Sequence, residues 1–117
     1  MFIEEQAKVE KRRFPRAQFH EAVHYQLKDE SKFGGCLASD IGEGGIQVSL
    51  NDFVPINTEL VLQMKLGRLA RVVDLTGRVA WLQRVPFSDR YQVGLEFTKP
   101  DPFSREVIRD YVRSHLS

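Results

Sequence analysis

The sequence is poor in cysteine and lacks long apolar runs, and both shortages limit what the protein can be. Its single cysteine, Cys36, cannot form a disulfide within the chain, which fits a reducing compartment. No segment approaches the roughly 18 consecutive apolar residues of a membrane-spanning helix. The first residues also lack the basic and apolar parts of a signal peptide. We therefore expect a cytoplasmic protein that does not insert into a membrane.

The chain has no excess of charge of either sign. Its 17 Lys and Arg residues nearly balance 16 Asp and Glu residues, for a formal net charge of +1 at pH 7. Proteins that coat DNA or RNA carry positive charge over a whole face, so we expect no nucleic-acid polymer as a partner. Positive charge is local instead, because residues 11–16 contain four cations and no anion. Such a cluster suits a small polyanion.

The sequence offers no evident set of catalytic or metal-binding residues. His20 and His24 are four residues apart, but neither a further histidine nor a cysteine lies near enough in the sequence to complete a zinc site. No nucleophile is found with a matching base. We predict that the protein is not an enzyme and holds no metal or cofactor.

What the sequence does contain is the pattern of a strand-rich domain. Its 117 residues are enough for one domain with a real core. Apolar and polar residues alternate in successive segments, the period of a half-buried strand. Short turns and no intervening helices predict a mainly β fold, an antiparallel barrel of six or more strands. The predicted strands cover residues 19–27, 36–38, 46–50, 60–66, 73–81 and 91–97, with a turn-like stretch over residues 29–35 between the first two. Trp81 is assigned to the core.

The two ends of the chain depart from this pattern. Residues 1–11 have few apolar anchors and predict a flexible lead-in, followed by a single domain over residues 12–117. Near the other end, Asp101 is a suitable N-cap and Pro102 suits the first helical position. Apolar residues then recur at helical spacing at Phe103, Val107 and Tyr111. We predict an amphipathic helix over residues 102–114 that lies across a barrel opening.

Arginines near the start of the domain form the first motif with clear chemistry. Arg12 and Arg16 are separated by three residues, with Arg13 between them. A guanidinium group pairs bidentately with phosphate and matches the O6 and N7 acceptors of guanine. A solvated basic tail is the more common explanation for such a cluster, so this motif alone does not establish a ligand site.

A glycine-rich stretch over residues 40–45, D-I-G-E-G-G, forms the second motif. Asp40 offers an acceptor for the N1–H and N2–H₂ edge of guanine. Gly45 would let the backbone approach a ligand or adopt a positive φ. We interpret the stretch as a tight hairpin turn. It is not a P-loop, because no Gly-Lys-Ser/Thr follows.

In this order, and ahead of this strand pattern, the two motifs resemble the signature of the PilZ domain. Residues 77–81 and 91–97 also resemble the "V-x-W" and "Y-x-V-G-L-x-F" strands of that family, so the likeness covers about residues 10–110. The resemblance implies a small bacterial β-barrel that binds the second messenger cyclic di-GMP. The ligand-binding residues it implies here are Arg12, Arg13, Arg16, Asp40, Gly42 and Gly45. Trp81 could also flank the ligand through its ring face, although a buried aromatic on a strand is the ordinary explanation.

One residue departs from the family signature. Gly42 stands where the family usually has serine, so the hydroxyl that would donate to the ligand is absent. A hydrogen bond to a charged group contributes about 1.5–3 kcal/mol, so its loss would weaken binding by about one to two orders of magnitude. The departure leaves a second function open, that of a degenerate module of the same fold that binds a partner protein without nucleotide.

The resemblance therefore predicts a receptor in which ligand binding orders the N-terminal arm. Without ligand, the arm with Arg12, Arg13 and Arg16 is mobile; cyclic di-GMP bridges it to the turn at residues 40–45, and the changed surface signals to a partner protein that the sequence does not identify. The resemblance also implies that Lys11 helps decide how many ligand molecules bind, and we expect two stacked molecules.

An RNA-binding barrel is a less favoured alternative, because the net charge is near zero.

Overall fold

The computed structural model describes residues 16–18, 21–27, 33–67 and 69–115, and the structural statements below concern these residues. They form seven β-strands followed by one α-helix, as the mainly β prediction with a C-terminal helix required. The elements are β1 (Arg16–Gln18), β2 (Ala22–Leu27), β3 (Phe33–Gly42), β4 (Gly45–Leu50), β5 (Glu59–Leu66), β6 (Arg71–Arg84), β7 (Tyr91–Phe97) and α1 (Pro102–His115). The predicted lead-in over residues 1–11 lies outside the described residues.

Six strands close into an antiparallel barrel, which confirms the predicted architecture. The strand order is β3-β2-β5-β6-β7-β4, and pairing of β4 with β3 closes the ring. The extra strand, β1, pairs with the last residues of β3, where Arg16 lies opposite Gly42. The first residues of β3 pair with β2 along the same edge. The end of β3 is therefore flanked by β1 on one side and by β4 on the other.

Buried and exposed residues alternate along the strands, and the inward-facing apolar side chains fill the barrel. On β5, every second residue is buried and those between them face outward, as the period of two along a strand requires. The largest fully buried side chains are Val23, Ile41, Ile46, Val48, Leu50, Leu60, Leu62, Leu66, Val73, Val79 and Ile108. Burial raises the pKa of the Cys36 thiol to about 12, so this cysteine is a protonated core residue at neutral pH.

The strand β3 is longer than the sequence predicted. The expected turn-like stretch through Gly35 and the short strand at residues 36–38 are parts of one strand, Phe33–Gly42. The predicted turn at residues 40–45 was also too long, because only Glu43 and Gly44 lie between β3 and β4. Glycine weakens an isolated strand, but here Gly34 and Gly35 pair with Tyr25 and His24 of β2.

The helix α1 lies at the barrel end formed by the β3–β4 and β5–β6 turns. Val107, Ile108 and Val112 are buried, which confirms the prediction that the helix covers the core. The predicted N-cap is also confirmed, since Asp101 accepts hydrogen bonds from the Ser104 backbone N–H at 3.1 Å and from its hydroxyl at 2.6 Å. The helix continues to His115, and Phe103, which was expected on the apolar stripe, is exposed.

Candidate functional site

The structure brings Arg16 of the first motif into direct contact with Asp40 of the second. The Arg16 Nε donates a hydrogen bond to the Asp40 Oδ1 over 2.6 Å. Both side chains are only 22% exposed, so water screens this pair less than it screens a fully exposed surface pair. The two motifs therefore meet at the edge of β3.

Of the three arginines in the first motif, Arg16 is the one that the structure describes. In β1 it pairs with Gly42 of β3, and it is bound to Asp40. Arg12, Arg13 and Lys11 lie outside the described residues. The ordering of this arm by a ligand stays a prediction.

A β-bulge at Ser39 turns Asp40 to the outer face of the barrel. In the β3–β4 ladder, Ala38 lies opposite Val48, and Asp40 lies opposite Gln47, so Ser39 is an extra residue with no partner. Period-two alternation from the buried Ala38 would have pointed Asp40 inward. The bulge resets the alternation, so that Ile41 is buried and Asp40 faces outward.

A second bulge, at Ala80, turns Trp81 to the outer face of the barrel. On β6, Val79 lies opposite Leu95 and Trp81 lies opposite Gly94, which leaves Ala80 without a partner. Trp81 was predicted to be a core residue because it continues an alternating set. That prediction was wrong: the indole is partly exposed on the outer face, since the bulge changes the face to which it points.

The two re-aimed side chains stand at opposite ends of one row on the outer face. The row runs across four strands through Asp40, Gln47, Gly94 and Trp81. Three strand spacings correspond to about 14 Å along the sheet. A Cβ atom on Gly94 would lie 2.1 Å from the Trp81 Nε1, so the indole lies across the glycine backbone. We call this row, together with Arg16, the outer-face site.

Two further polar residues, Ser39 and Gln92, border the outer-face site. Neither was among the site residues predicted from the sequence. Ser39 Oγ donates a hydrogen bond to the Gln47 carbonyl oxygen at 3.3 Å and accepts one from the Gln92 Nε2 at 3.2 Å. Both residues are partly buried. Their proximity depends on strand register and on the bulge, which no local sequence pattern specifies.

The two glycines named as site residues lie close to Arg16 but have different surroundings. Gly42 is buried at the end of β3, opposite Arg16. Gly45 begins β4, and its φ is not positive, so of the two uses expected for this glycine the positive φ is excluded. A Cβ atom on Gly45 would lie 2.2 Å from the Leu95 carbonyl oxygen. Close packing against β7 is therefore the constraint that the structure imposes at this position.

The turn after Gly42 is tied to the C-terminal helix. Glu43 Oε1 accepts hydrogen bonds from the Nε and Nη2 of Arg109 at 3.1 and 2.9 Å. Because Glu43 is hydrogen-bonded to it and carries the opposite charge, the pKa of Arg109 is raised. The second motif thus contacts both β1 and α1.

Other charged or concave features lie away from this row. Arg78 is paired with Glu96 at 2.7 Å on an exposed part of the barrel. A groove of about 700 Å³ lies between α1 and the β5–β6 turn, lined in part by Leu69, Arg71 and Tyr111. It contains none of the predicted site residues. In the described ranges there is no cluster of three or more potential metal ligands, and no helix is long and apolar enough to cross a membrane.

Comparison with known proteins gives one family and several similar structures. The PilZ domain family matches residues 10–114 of the chain, and a comparison with curated proteins gave no match. The inhibitor of motility MotI/DgrA of Bacillus subtilis superposes with a TM-score of 0.77 at 20% identity, over 89% of this chain and 50% of that one. The PilZ domain of YcgR from Escherichia coli with c-di-GMP gives a TM-score of 0.68 at 14% identity, over 90% and 91%.

A third similar structure is the MrkH–c-di-GMP complex of K. pneumonia, with a TM-score of 0.66 at 17% identity over 84% of this chain and 49% of that one. At these identities the likeness is one of fold. The chain spans about half the length of the MotI/DgrA and MrkH chains that it matches.

Proposed function

The chain belongs to the PilZ domain family, and from this premise we propose that it is a cytosolic receptor for cyclic di-GMP. The observation that carries the proposal is the contact between Arg16 and Asp40 at 2.6 Å. It places one member of each motif side by side on an accessible face. Two of the similar structures, YcgR and MrkH, are complexes with c-di-GMP, which supports the same ligand here.

The chemistry of the two side chains is complementary to a guanine nucleotide. The Arg16 guanidinium offers donors in a planar fork to phosphate oxygens or to the O6 and N7 of guanine. The Asp40 carboxylate accepts from the N1–H and N2–H₂ edge, which arginine cannot pair with. We propose that Arg12 and Arg13 add further cations from the preceding residues and that Gly42 and Gly45 keep this edge of the barrel open to the ligand.

The outer-face site also offers a surface for a base. Trp81 lies at the far end of the row from Asp40, with part of its indole exposed. Aromatic faces stack on bases and contribute about 1–3 kcal/mol for each base. In this proposal the ligand lies along the row, with its anionic part near Arg16.

We propose that the output is a change in binding to a protein partner and that the protein is not an enzyme. The ligand would fix the residues before Arg16 against the barrel and so alter the surface that a partner meets. Lys11 belongs to that segment, and two stacked ligand molecules are expected.

Calorimetric titration with cyclic di-GMP tests the proposal. The expected result is micromolar or tighter binding, with a stoichiometry that distinguishes one ligand from two. Arg16→Ala should weaken binding at least about tenfold, because hydrogen bonds to a charged ligand are lost. Arg16→Lys, which keeps the charge but not the planar fork, should recover only part of the affinity. Arg12→Ala/Arg16→Ala should abolish the heat of binding.

Arg84→Ala is the matched control for these variants. Arg84 is also ion-paired, with Asp89 at 3.9 Å, but it lies beside the β6–β7 turn, far from β1. Binding by this control should equal that of the wild type. GTP is the competitor and should not displace the ligand at comparable concentration. If the Kd of Arg16→Ala equals that of the wild type, the proposed binding site at Arg16 and Asp40 is refuted.

One observation favours a second function, that of a protein-interaction module without a nucleotide. Residue 42 is glycine and provides no hydroxyl. The absence of both heat and thermal stabilisation at ligand excess, together with a partner that binds equally with and without nucleotide, would support this alternative. Salt-dependent binding to single-stranded RNA would instead indicate a nucleic-acid barrel.

A further inference from the structure

We infer that Ser39, held in place by Gln92, supplies the hydroxyl donor that position 42 lacks. This inference rests on the proposed function, because the acceptor is an oxygen of the anionic ligand. It assigns a binding role to one residue outside both motifs and a positioning role to another. It would also account for the proposed binding in a chain that has no serine at position 42.

The bulge puts Ser39 and Asp40 on the same face. Ser39 follows the buried Ala38, so alternation alone directs its side chain to the outer face. As an extra residue in β3 without a partner on β4, it resets the alternation, and Asp40 faces outward beside it. The outward-facing Gln92 side chain donates a hydrogen bond to the Ser39 hydroxyl oxygen. Ser39 directly precedes Asp40, so the hydroxyl flanks the carboxylate that is proposed to bind the ligand. A regular strand would have placed these two neighbours on opposite faces.

The hydrogen bonds of Ser39 leave its O–H easy to redirect. A serine hydroxyl has one donor and two acceptor positions, and Gln92 Nε2 occupies one acceptor position at 3.2 Å. The single O–H is directed to the Gln47 carbonyl oxygen at 3.3 Å, longer than the usual range of about 2.5–3.0 Å for O–H···O bonds. Replacing this weak bond by a bond to an anionic oxygen is favourable, because charge-assisted bonds are shorter and stronger.

Gln92 acts on the ligand through Ser39. It reaches from β7 across β4 to the bulge on β3. By donating to the hydroxyl oxygen, it fixes that oxygen in position and leaves the proton available for an external acceptor. Gln92→Leu should therefore weaken binding less than removal of the hydroxyl itself.

A cycle of four proteins tests the inference: wild type, Ser39→Ala, Gly42→Ser and the double variant, each titrated with cyclic di-GMP. Ser39→Ala should weaken the Kd about tenfold or more, as expected for a lost hydrogen bond to a charged group. Gly42→Ser alone should change the Kd by clearly less than Ser39→Ala does, because the donor is already supplied. In the double variant, the new serine should restore most of the affinity. Such non-additivity is the signature of one hydroxyl replacing another.

Two further variants separate a hydroxyl effect from a structural one. Ser39→Thr keeps the hydroxyl and should bind within about threefold of the wild type. Ser49→Ala removes a hydroxyl of similar exposure on β4, from the residue opposite Gln92, and should leave the Kd unchanged. Melting temperatures without ligand verify that each variant is folded.

The outcomes that overturn the inference differ from those that overturn the proposed function. If Ser39→Ala binds as the wild type does while Arg16→Ala does not bind, the receptor function holds and the role of Ser39 is refuted. If only proteins with Gly42→Ser bind, Ser39 does not replace the missing hydroxyl, and the inference is also refuted. If none of the four binds, the proposed function fails and the inference fails with it.

Discussion

Ser39 and Ala80 each add one residue to a strand without a partner opposite it, and the side chains that follow them change faces. Without the bulges, Asp40 and Trp81 would point into a barrel that apolar residues already fill. Burying a carboxylate there would cost several kcal/mol. The bulges place the acid and the aromatic ring on the same outer face.

Gly94→Ala should displace Trp81 and destabilise the protein. The new Cβ would lie 2.1 Å from the indole Nε1, so the ring must move outward or the strands must shift. We expect the free energy of unfolding to fall by about 1–3 kcal/mol, the usual cost of overpacking. Trp81 is the only tryptophan in the sequence, so its emission spectrum reports the displacement directly and should shift to longer wavelength.

Gly35→Ala is the matched control for Gly94→Ala. This glycine is also in a strand, but the nearest atom to an added Cβ is a backbone oxygen at 4.0 Å. Its fluorescence should be that of the wild type, and its stability should be within about 1 kcal/mol. An unchanged spectrum in Gly94→Ala would show that the indole does not lie on this glycine.

At the scale of elements, the β4–β7 pairing depends on a glycine at the start of β4. Gly45→Ala would place a Cβ 2.2 Å from the Leu95 carbonyl oxygen, and a backbone atom cannot move aside as a flexible side chain can. We expect the free energy of unfolding to fall by at least about 1–3 kcal/mol in denaturant titrations. A stability equal to that of Gly35→Ala would contradict the close packing of β4 on β7.

The N-terminus of α1 should make the stability of the protein depend on pH. Hydrogen bonds from the Ser104 hydroxyl and backbone N–H lower the pKa of Asp101. A carboxyl whose pKa is lower in the folded state stabilises the protein above its unfolded pKa, and this contribution is lost as pH falls through the folded pKa. Asp101→Ala should therefore lower the Tm at pH 7, and the difference from the wild type should shrink in acid.

Asp101→Asn tests the same cap by separating its charge from its hydrogen bonds. Asparagine is also a good N-cap, so this variant should melt close to the wild type at pH 7 while losing part of the acid dependence. Equal pH profiles for wild type, Asp101→Ala and Asp101→Asn would exclude a contribution of the cap to stability.

The sequence predicted where strands and the helix lie better than it predicted which face of the barrel a side chain is on. Alternation gave the inward residues of β5 and most of β6, and the cap signals located the start of α1, because these patterns are local. It failed at β3, where Gly34 and Gly35, which were read as part of a turn, are paired with β2. The outward position of Trp81 and the contact of Ser39 with Gln92 depend on bulges and register, which arise only from the pairing of distant strands.

At the scale of the whole molecule, the second motif connects the outer-face site to the C-terminal helix. Asp40 at one end of this motif binds Arg16 of β1, and Glu43 binds Arg109 of α1. The proposed ligand site, the strand β1 and the helix that closes the barrel end therefore share one short stretch of sequence. A ligand that changed this stretch would act on β1 and α1 at once.

The most direct test of the central claim is a ¹H–¹⁵N correlation spectrum of the protein recorded during titration with cyclic di-GMP. Changes should concentrate on the Trp81 indole N–H, on Gly94 and on the amides of residues 39–47. Signals from the loop at residues 51–57 and the turn at residues 85–90 should remain still. No change at ligand excess, or changes confined to the groove between α1 and the β5–β6 turn, would contradict binding at the outer-face site.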